Sequence, residues 1–370
     1  MQLQTRITIQ PLEQTACYGD GLLFLGSCFA DEVGTLCRGL GFDAMVNPFG
    51  VLYNPASIAQ SVERLHSGNP FCHEEVIQVG EGQYCTFSHN TAFWNASEEA
   101  LLEHVNQSLA DAHAHFMDSK WVIISLGTSW VFKNRETQEV VSNCHKLPAM
   151  RFERVFLTVE QSFQCLSEII RQHPEKRFIF TVSPLRHLKD GLHENQLSKA
   201  ALLLTVDEVC KTFGNAHYFP AYEILLDELR DYRFYKEDMV HPTDQAVRYI
   251  WERFVDFAID PKEKPAMKAA AELKQMLQHR PLFPESETFK RFESLREKKI
   301  NELMYEIEKK DRHLAELKCH EKDLQKELDK TMSKLDLHLA HISGTKAAED
   351  YITVLEGFAP TDKEAELKDI

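Results

Sequence analysis

The sequence is short of basic residues. Its 42 Lys and Arg stand against 57 Asp and Glu, which gives a net charge of −15. A chain with this charge repels phosphate backbones and anionic membrane surfaces, and no local basic patch offsets the repulsion. The composition therefore argues against a nucleic-acid partner, while 43% hydrophobic residues are enough to build a globular core.

Long apolar runs are also missing. No run of apolar residues reaches the length that crosses a bilayer, so the sequence predicts no membrane span. Residues 1–11 lack the apolar core and small-residue cleavage site of a secretory signal. The nine cysteines form no CxxC pair, and a chain of 370 residues folds without disulfides. We expect reduced thiols in a cytoplasmic protein.

Motifs for cofactors and metals are absent as well. Gly39-Leu40-Gly41 lacks the remainder of a dinucleotide fingerprint, and the sequence contains no phosphate-binding loop. His113-Ala114-His115 has neither the four-residue helical spacing nor the neighbouring thiolates of a zinc site. We therefore expect neither a cofactor nor a metal.

Short apolar strands alternate with helical patterns over residues 1–260. Residues 22–25, 121–126 and 177–182 have the continuous apolar character of strands that are buried on both faces. Strands that alternate with helices of this length indicate right-handed βαβ units around a mostly parallel sheet. The sequence therefore predicts an α/β domain whose ligand site lies at the carboxyl ends of the strands.

The character of the sequence changes beyond residue 260. We expect a helix and a linker over 261–285, a long amphipathic helix over 286–344, and a short helix with an acidic tail over 345–370. Positions at intervals of seven in the long helix are Ile300, Ile307, Leu314, Glu321, Leu328, Leu335 and Ile342. Two interpretations remain: a coiled coil that assembles a homo-oligomer, and a helix that packs back along its own domain.

Two short motifs carry candidate catalytic chemistry. Gly26-Ser27 follows the first strand and precedes a helix, where unpaired N–H groups and the helix dipole stabilise a developing oxyanion. Asp238-Met239-Val240-His241 places a carboxylate three residues before an imidazole, which it can hold through one ring nitrogen. Each motif also has a structural interpretation, with Ser27 as a helix N-cap and the other pair as a solvated acid and a structural histidine.

The order of these motifs along the chain resembles the SGNH/GDSL hydrolase superfamily. Leu25-Gly26-Ser27-Cys28-Phe29-Ala30 resembles the motif that names the GSCFA family, a branch of that superfamily. The further blocks that match are Asn47–Pro55, Leu126–Phe132, Asn143–Lys146, Ser183–His187 and Asp231–Tyr235. The resemblance covers about residues 1–310.

The resemblance implies a flavodoxin-like, three-layer fold with a Ser-His-Asp hydrolase site. Ser27 is then the nucleophile, His241 the general base and later the acid, and Asp238 the group that orients His241. Gly50 lies in the block that normally supplies a backbone N–H to the oxyanion hole. The implied substrates are esters of small acyl groups, with acetylated carbohydrates as the usual example.

The third block departs from the superfamily pattern Gly-x-Asn-Asp, because it reads Gly127-Thr128-Ser129-Trp130. The side-chain amide of the oxyanion hole is therefore missing from its usual place. Its replacement is either a hydroxyl of this block or an amide from Asn47, Asn54 or Asn143. Loss of one such donor commonly costs about 100- to 1000-fold in turnover.

Further polar residues are placed where a pocket is expected. Arg186 and His187 follow the strand 177–182, and Arg186 suits a carboxylate or phosphate of the substrate, although an ion pair with Asp190 or Glu194 is a structural alternative. His145 and His89 either line the pocket or stabilise the surrounding loops. Cys28 is a rival nucleophile at the helix start, and we expect its side chain to point away from the pocket.

Two functions are consistent with these features. The first is a serine esterase or acyltransferase that acts on a small ester through Ser27, His241 and Asp238. The second is a catalytically weak or inactive binding protein in which residues 286–344 serve as an assembly arm. The missing amide of the third block favours the second function, and the ordered motifs favour the first.

Overall fold

A computed structural model describes residues 5–278, 286–302, 305 and 326–334. The chain divides into two units, Met1–His279 and Arg280–Ile370. The division falls within the segment 261–285 that was expected to hold a helix and a linker. Among the described residues, no helix combines the length and apolar character that crossing a membrane requires.

A five-stranded parallel sheet forms the centre of the first unit. The strands of this unit are β1 (Leu22–Gly26), β2 (Ala44–Val46), β3 (Val76–Gly80), β4 (Gln83–Thr86), β5 (Trp121–Leu126), β6 (Trp130–Asn134), β7 (Val140–Val141), β8 (Phe152–Phe156), β9 (Arg177–Val182) and β10 (Ala216–Tyr218). The central sheet has the order β10-β9-β5-β1-β2, and all its pairs are parallel. Every residue of β1 and β5 is buried, which explains their continuous apolar sequences.

Helices cover both faces of this sheet. They are α1 (Cys28–Gly39), α2 (Pro55–Ser67), α3 (Glu98–Asp118), α4 (Val159–Gln172), α5 (Leu192–Thr212), α6 (Ala221–Glu223), α7 (Asp244–Ala258) and α8 (Lys264–Gln278). A π-helical turn spans Ile224–Glu228, and 3₁₀ segments span His73–Glu75, Thr91–Phe93, Ala149–Arg151, Tyr232–Phe234 and Pro261–Glu263. The predicted α/β class with a mostly parallel sheet is confirmed.

The alternation of side chains along β1 divides the core in two. Leu22 and Phe24 belong to one cluster with residues of α1 and α7, whereas Leu23 and Leu25 belong to the other with residues of α2, α3, α4 and α5. Successive residues of a strand point to opposite faces, so one apolar run fills both clusters. Each fully buried Leu contributes roughly 1.5–3 kcal/mol.

A small antiparallel sheet follows β5 and has no counterpart in the sequence-based prediction. Its order is β7-β6-β8, with Trp130 opposite Phe156 and Phe132 opposite Arg154. Strands β3 and β4 form a separate hairpin. The chain thus inserts antiparallel structure between β5 and β9, at the edge of the parallel sheet where its strands end.

The second unit is described in part. Residues 287–302 and 326–334 are helical. Of the seven positions in the heptad pattern, Ile300 and Leu328 belong to these helices, and the other five lie outside the described residues, as does the segment 345–370. The coiled coil therefore remains a prediction.

Candidate active site

The turn between β1 and α1 is fixed by its two neighbouring strands. Gly26 has φ 128°, and a Cβ at this position would lie 2.1 Å from the carbonyl oxygen of Ser125 in β5. The Gly26 amide donates to Asn47 Oδ1 over 2.9 Å, just beyond the end of β2. A side chain at position 26 would clash with β5, so glycine is required for this tight turn.

Ser27 acts as the N-cap of α1. Its Oγ accepts a hydrogen bond from the Phe29 amide and lies 2.9 Å from Ser125 Oγ, while its own amide donates to the Ser125 carbonyl. The residue is only 2% exposed. In the described part of the chain, neither Ser27 nor Cys28 shares a hydrogen bond with His241, and the hydrogen bonds of Ser27 are those of an N-cap held against β5.

Cys28, the first residue of α1, lines a cleft that His241 also lines. Its Sγ lies 3.7 Å from the Tyr53 hydroxyl. The expectation that Cys28 points away from the pocket is therefore wrong. Side chains in an α-helix tilt toward its N-terminus, so the first residue of α1 projects toward the sheet edge at which β1 ends. Within the described residues, the Cys28 amide donates no hydrogen bond.

Asp238 and His241 form a hydrogen-bonded pair. His241 Nδ1 lies 2.6 Å from Asp238 Oδ2, and Asp238 Oδ1 accepts hydrogen bonds of 2.9 Å from the amides of His241 and Val240. These two amides and the imidazole lower the pKa of Asp238 to about 2. Met239 has φ 57° and closes the turn between the two residues. The carboxylate stays ionised at neutral pH and holds Nδ1 of the imidazole.

The cleft has a volume of about 640 Å³ and lies at the carboxyl ends of the central strands. Cys28 follows β1, Thr128 follows β5, and Arg186 follows β9. The small antiparallel sheet supplies one wall, through Trp130, Phe132, Val141, Phe152 and Arg154. Crossover connections in a parallel sheet place ligand sites at this edge, because the loops that follow the strands meet there.

The backbone amide of Gly50, which lies in the block expected to supply the oxyanion hole, is already engaged, and so are the backbone amides of Gly127 and Thr128 in the third block. The Gly50 amide donates to the Asn47 carbonyl over 2.7 Å, and Gly50 does not line the cleft. The amides of Gly127 and Thr128 both donate to the Tyr53 carbonyl, over 2.7 and 2.9 Å. The structure therefore corrects the expectation for the Gly50 amide, and the amides of Gly127 and Thr128 are not free to bind an oxyanion either.

The hydroxyls of the third block are held in a similar way. Thr128 Oγ1 lies 3.0 Å from Ser198 Oγ, and Ser129 Oγ donates to the Ser198 carbonyl over 3.1 Å. Ser129 is fully buried, and it is not part of the cleft lining, whereas Thr128 is. Contacts with α5 thus fix this loop and occupy its side chains.

Among the candidate amides, Asn143 has a free donor in the cleft. Its Oδ1 accepts the His145 amide, and its Nδ2 makes no hydrogen bond with any described residue. Asn54 also lines the cleft, but it caps α2 and bonds Ser57 through both Oδ1 and Nδ2. Asn47 Oδ1 accepts the Gly26 amide from outside the cleft. The Asn143 amide and the Cys28 N–H are the donors best placed to replace the missing one.

The three candidate histidines are neutral. His89 is outside the cleft, where Phe49, Phe71 and Phe93 surround it and burial lowers its pKa to about 3. His145 lines the cleft, but Trp94 Nε1 donates to its Nδ1 and its Nε2 donates to the Thr86 carbonyl. His89 and His145 are therefore structural.

His187 also lines the cleft, with its ring edge against Tyr53. Its pKa falls to about 4, chiefly because of burial and then because of the nearby Lys199 charge. Its amide donates to Asn195 Oδ1 over 2.9 Å. His187 therefore contributes a neutral imidazole beside the candidate catalytic pair.

Several cleft residues escape sequence analysis. Arg154 of β8 forms a two-pronged ion pair with Asp190, with Nε–Oδ1 at 3.1 Å and Nη2–Oδ2 at 2.5 Å. The structural alternative expected an ion pair between Arg186 and Asp190. Asp190 pairs with Arg154 instead. The two partners are 36 positions apart in the sequence, which conceals this contact, and no local pattern marks β8 as a wall of the site.

Lys199 on α5 is a second such residue. Its Nζ donates 2.7 Å hydrogen bonds to the carbonyls of Gly127 and Ser183, which follow β5 and β9. Burial, and then the charge of Arg186, lower the pKa of Lys199 to about 7. A lysine within the Ala- and Leu-rich stretch of this helix was the only signal in the sequence. Lys199 joins the ends of two central strands beneath the cleft.

The described residues contain no group of three or more His, Cys, Asp or Glu side chains placed to bind a metal ion. The eight cysteines in them are free thiols, and Cys319 lies outside them.

The fold and the cleft define the class of this molecule: it is an α/β protein that presents the Ser27-Cys28 turn and a His–Asp pair at one edge of a parallel sheet. The model of the GSCFA family matches residues 21–254, and the chain belongs to that family. The match includes both the β1–α1 turn and the Asp238–His241 turn. No curated protein matches the chain significantly.

Proposed function

We propose that the protein is an esterase or acyltransferase of the SGNH/GDSL type, with a flavodoxin-like fold. The observation that carries this proposal is the 2.6 Å hydrogen bond between Asp238 and His241, because His241 lines the same cleft as Cys28. A carboxylate that holds Nδ1 leaves Nε2 of the imidazole as the base for a nucleophile. The substrate is an ester of a small acyl group.

The reaction runs in two steps. The nucleophile loses its proton to His241 and attacks the carbonyl carbon of the ester. The tetrahedral intermediate collapses to an acyl-enzyme, and the departing alcohol takes the proton from His241. Water or an acceptor hydroxyl then gives a proton to His241 and attacks the acyl-enzyme, which releases the acid or a new ester and restores the nucleophile.

The β1–α1 turn offers two nucleophiles, and the cleft favours the second of them. Ser27, which the family resemblance assigns, is 2% exposed and would have to leave Ser125 before it reached the cleft. Cys28 already lines the cleft, as the first residue of α1. We therefore assign the nucleophile to Cys28 and an N-cap role to Ser27.

Two chemically distinct probes test this assignment. A chloroacetamide reacts with thiolates and a fluorophosphonate with activated serines, and peptide mapping locates each label. We expect Cys28 to be alkylated faster than Cys144, the other thiol of the cleft, and we expect His241→Gln to slow the labelling of Cys28 alone. Cys28→Ala should abolish hydrolysis of a short-chain ester, whereas Ser27→Gly, which retains most of the capping energy, should not.

The opposite pattern identifies the serine. Fluorophosphonate labelling at Ser27, together with full activity of Cys28→Ala, would return the nucleophile to Ser27 and leave the esterase proposal intact. A protein that is folded by circular dichroism and shows no labelling that depends on His241 would overturn the esterase proposal itself.

A second function is a catalytically weak binding protein. The observation that favours it is the engagement of the Gly50, Gly127 and Thr128 amides in hydrogen bonds with carbonyl groups. A site with few free donors stabilises an oxyanion poorly. Ligand binding in the cleft by a protein that neither probe labels would support this second function.

A further inference from the structure

The charge of the cleft is opposite to that of the chain. Four cationic side chains line it, namely Lys146, Arg154, Arg186 and Lys189, against the single carboxylate of Asp190. The chain as a whole carries −15. A concave surface of one sign focuses the electrostatic potential and attracts ligands of the other sign.

Asp190, the one carboxylate among the described residues that line the cleft, is fully paired. Both of its oxygens bond Arg154, in the bidentate geometry that gives the strongest pairs between arginine and a carboxylate. Arg154 also lies over the ring of Phe132, with the guanidinium carbon 4.3 Å from the ring centroid. Asp190 and Arg154 therefore neutralise each other, and neither compensates the other cations.

Three cations of the cleft, Arg186, Lys146 and Lys189, form no ion pair or hydrogen bond with a described residue, and of these only Arg186 is partly buried. It is half-buried directly after β9, and it forms no ion pair or hydrogen bond with any residue that the structure describes. Asp190, its nearest candidate partner in sequence, is taken by Arg154. A partly desolvated guanidinium without an acceptor is unfavourable unless a ligand supplies one.

The remaining cations, Lys146 and Lys189, line the same cleft as Arg186. Lys189 Nζ lies 4.7 Å from the centroid of the Phe132 ring, and Lys146 has the left-handed φ of 59°. A non-glycine residue in this conformation marks a loop that the surrounding structure constrains, often at a functional site. His145 and His187 add no charge, because burial lowers the pKa of each imidazole.

We propose that the acyl substrate carries an anionic group, a carboxylate or a phosphate, which Arg186 binds while Cys28 and His241 act on the ester carbonyl. This inference rests on the proposed function for its chemistry, although binding of the anion can be measured without turnover. Lys189 and Lys146 attract the anion, and Arg186 fixes its position through paired N–H donors.

Three acetyl esters that differ only in the alcohol test the proposal: 4-acetoxybenzoate, 4-acetoxyphenyl phosphate and the neutral methyl 4-acetoxybenzoate. We expect at least one anionic ester to have the higher kcat/KM, and Arg186→Gln to lower that value by about 10- to 100-fold, as for loss of a charged hydrogen bond. The neutral ester should be unaffected. Arg186→Lys should restore part of the loss, and Lys211→Gln, on the outer surface of α5, is the matched control.

Binding of the product anions gives a readout that is independent of catalysis. Calorimetric titration of 4-hydroxybenzoate and of 4-hydroxyphenyl phosphate into the full chain should show binding that Arg186→Gln weakens and His241→Gln preserves. The stronger of the two ligands identifies the anion as a carboxylate or a phosphate.

The two proposals fail in different ways. Equal kcat/KM values for the charged and neutral esters, with no effect of Arg186→Gln, would overturn the anion proposal and leave the esterase standing. Binding of the anions through Arg186 without hydrolysis of any of the esters would overturn the esterase and leave the anion site standing.

Discussion

Two buried lysines lie at opposite edges of the central sheet. Lys176 precedes β9 at the amino edge, and its Nζ donates to the carbonyls of Phe116 and Ser119 at the end of α3, over 2.6 and 2.8 Å. Lys199 reaches the carboxyl edge and donates to the carbonyls of Gly127 and Ser183. Burial lowers the pKa of both. One lysine completes the C-terminus of a helix, and the other fixes two loops of the cleft.

The comparison extends to the His–Asp pairs of the two edges. At the amino edge, His115 Nε2 and Asp43 Oδ1 lie 3.3 Å apart without hydrogen-bond geometry. At the carboxyl edge, Asp238 holds His241 at 2.6 Å and accepts two backbone amides in addition. The same residue types are therefore a loose surface contact at one edge and an oriented pair at the other.

Backbone strain also concentrates at the carboxyl edge. Among the described residues, five non-glycine residues have positive φ; of these, Asn47 follows β2, His145 and Lys146 line the cleft, and Met239 lies between Asp238 and His241. Each such conformation costs of order 1 kcal/mol and persists where the surrounding structure enforces it. The contacts at the amino edge stabilise the fold, whereas the strained residues at the carboxyl edge lower the free energy of unfolding and fix the geometry of the cleft.

The largest expected loss of kcat/KM comes from replacing His241, and it distinguishes the His–Asp pair of the cleft from the pair at the amino edge. His241→Gln should lower kcat/KM for a short-chain ester by about 10³- to 10⁴-fold, because it removes the base. His115→Gln at the amino edge should leave kcat/KM unchanged. Steady-state kinetics on both variants, with circular dichroism to verify folding, measures the difference. Equal losses in the two variants would show that neither histidine acts in catalysis.

A smaller loss is expected from the carboxylate that orients the base. Asp238→Asn should lower kcat/KM by about 10- to 100-fold, less than for a buried catalytic aspartate, since Asp238 is half exposed and water can replace it in part. Asp43→Asn is the control at the amino edge. Because the pKa of Asp238 is about 2, its carboxylate does not titrate between pH 5 and pH 9. A pH–rate limb in that range that disappears in Asp238→Asn would contradict this assignment.

The two lysines should differ in what their loss changes. Lys199→Met leaves two buried carbonyls without a donor, which costs about 1–3 kcal/mol of unfolding free energy each, and it should also lower kcat/KM by loosening the cleft loops. Lys176→Met should destabilise the fold at unchanged kcat/KM. Urea unfolding and kinetics on both variants test this. Unchanged kcat/KM in a folded Lys199→Met would show that Lys199 is purely structural.

The pH dependence of stability sharpens the same comparison. Between the folded pKa of about 7 and the ordinary value of 10.5, the unfolded chain holds a proton on Lys199 that the folded protein lacks. Stability therefore rises with pH in this window, and the penalty for burying the charge is greatest below it. The advantage of the wild type over Lys199→Met should grow between pH 7 and pH 9 in urea unfolding. A constant difference would place the folded pKa above that range, near the ordinary value.

The smallest effect on the cleft is expected from the second unit. If residues 286–344 form a coiled coil, the full chain should have a mass that is a multiple of 42.7 kDa, and a chain that ends at residue 282 should be a monomer with unchanged kcat/KM. Size-exclusion chromatography with light scattering measures both masses. A monomeric full chain would remove the coiled-coil interpretation.

Local sequence patterns were sufficient for the central strands β1, β5 and β9 and for the short turns. The runs 22–25, 121–126 and 177–182 nearly coincide with β1, β5 and β9, because strands buried on both faces must be apolar throughout. The spacing of Asp238 and His241 places the carboxylate within reach of both the ring and the backbone of His241, since one turn contains all these groups.

Contacts between distant segments were beyond such patterns. The antiparallel sheet β7-β6-β8 pairs residues that are 26 apart at Trp130 and Phe156, and it brings Arg154 to the cleft. The amides of Gly50 and Gly127 look free in the sequence, yet folding brings the carbonyls of Asn47 and Tyr53 to them. The hydrogen-bond partner of a loop amide depends on which other loop folds against it, and a local sequence pattern does not predict that neighbour.

The sequence by itself therefore determined the parallel α/β core, the turn after β1 and the paired Asp238 and His241, because burial and short-range geometry dictate each of them. Only the tertiary structure decided which neighbour in the Ser27-Cys28 turn faces the cleft, and that the partly buried Arg186 has no partner among the described residues. The Ser27 hydroxyl lies within hydrogen-bond distance of the Ser125 hydroxyl in β5. Asp190 forms its ion pair with Arg154 and not with Arg186. Both choices depend on side chains that folding brings together from distant strands.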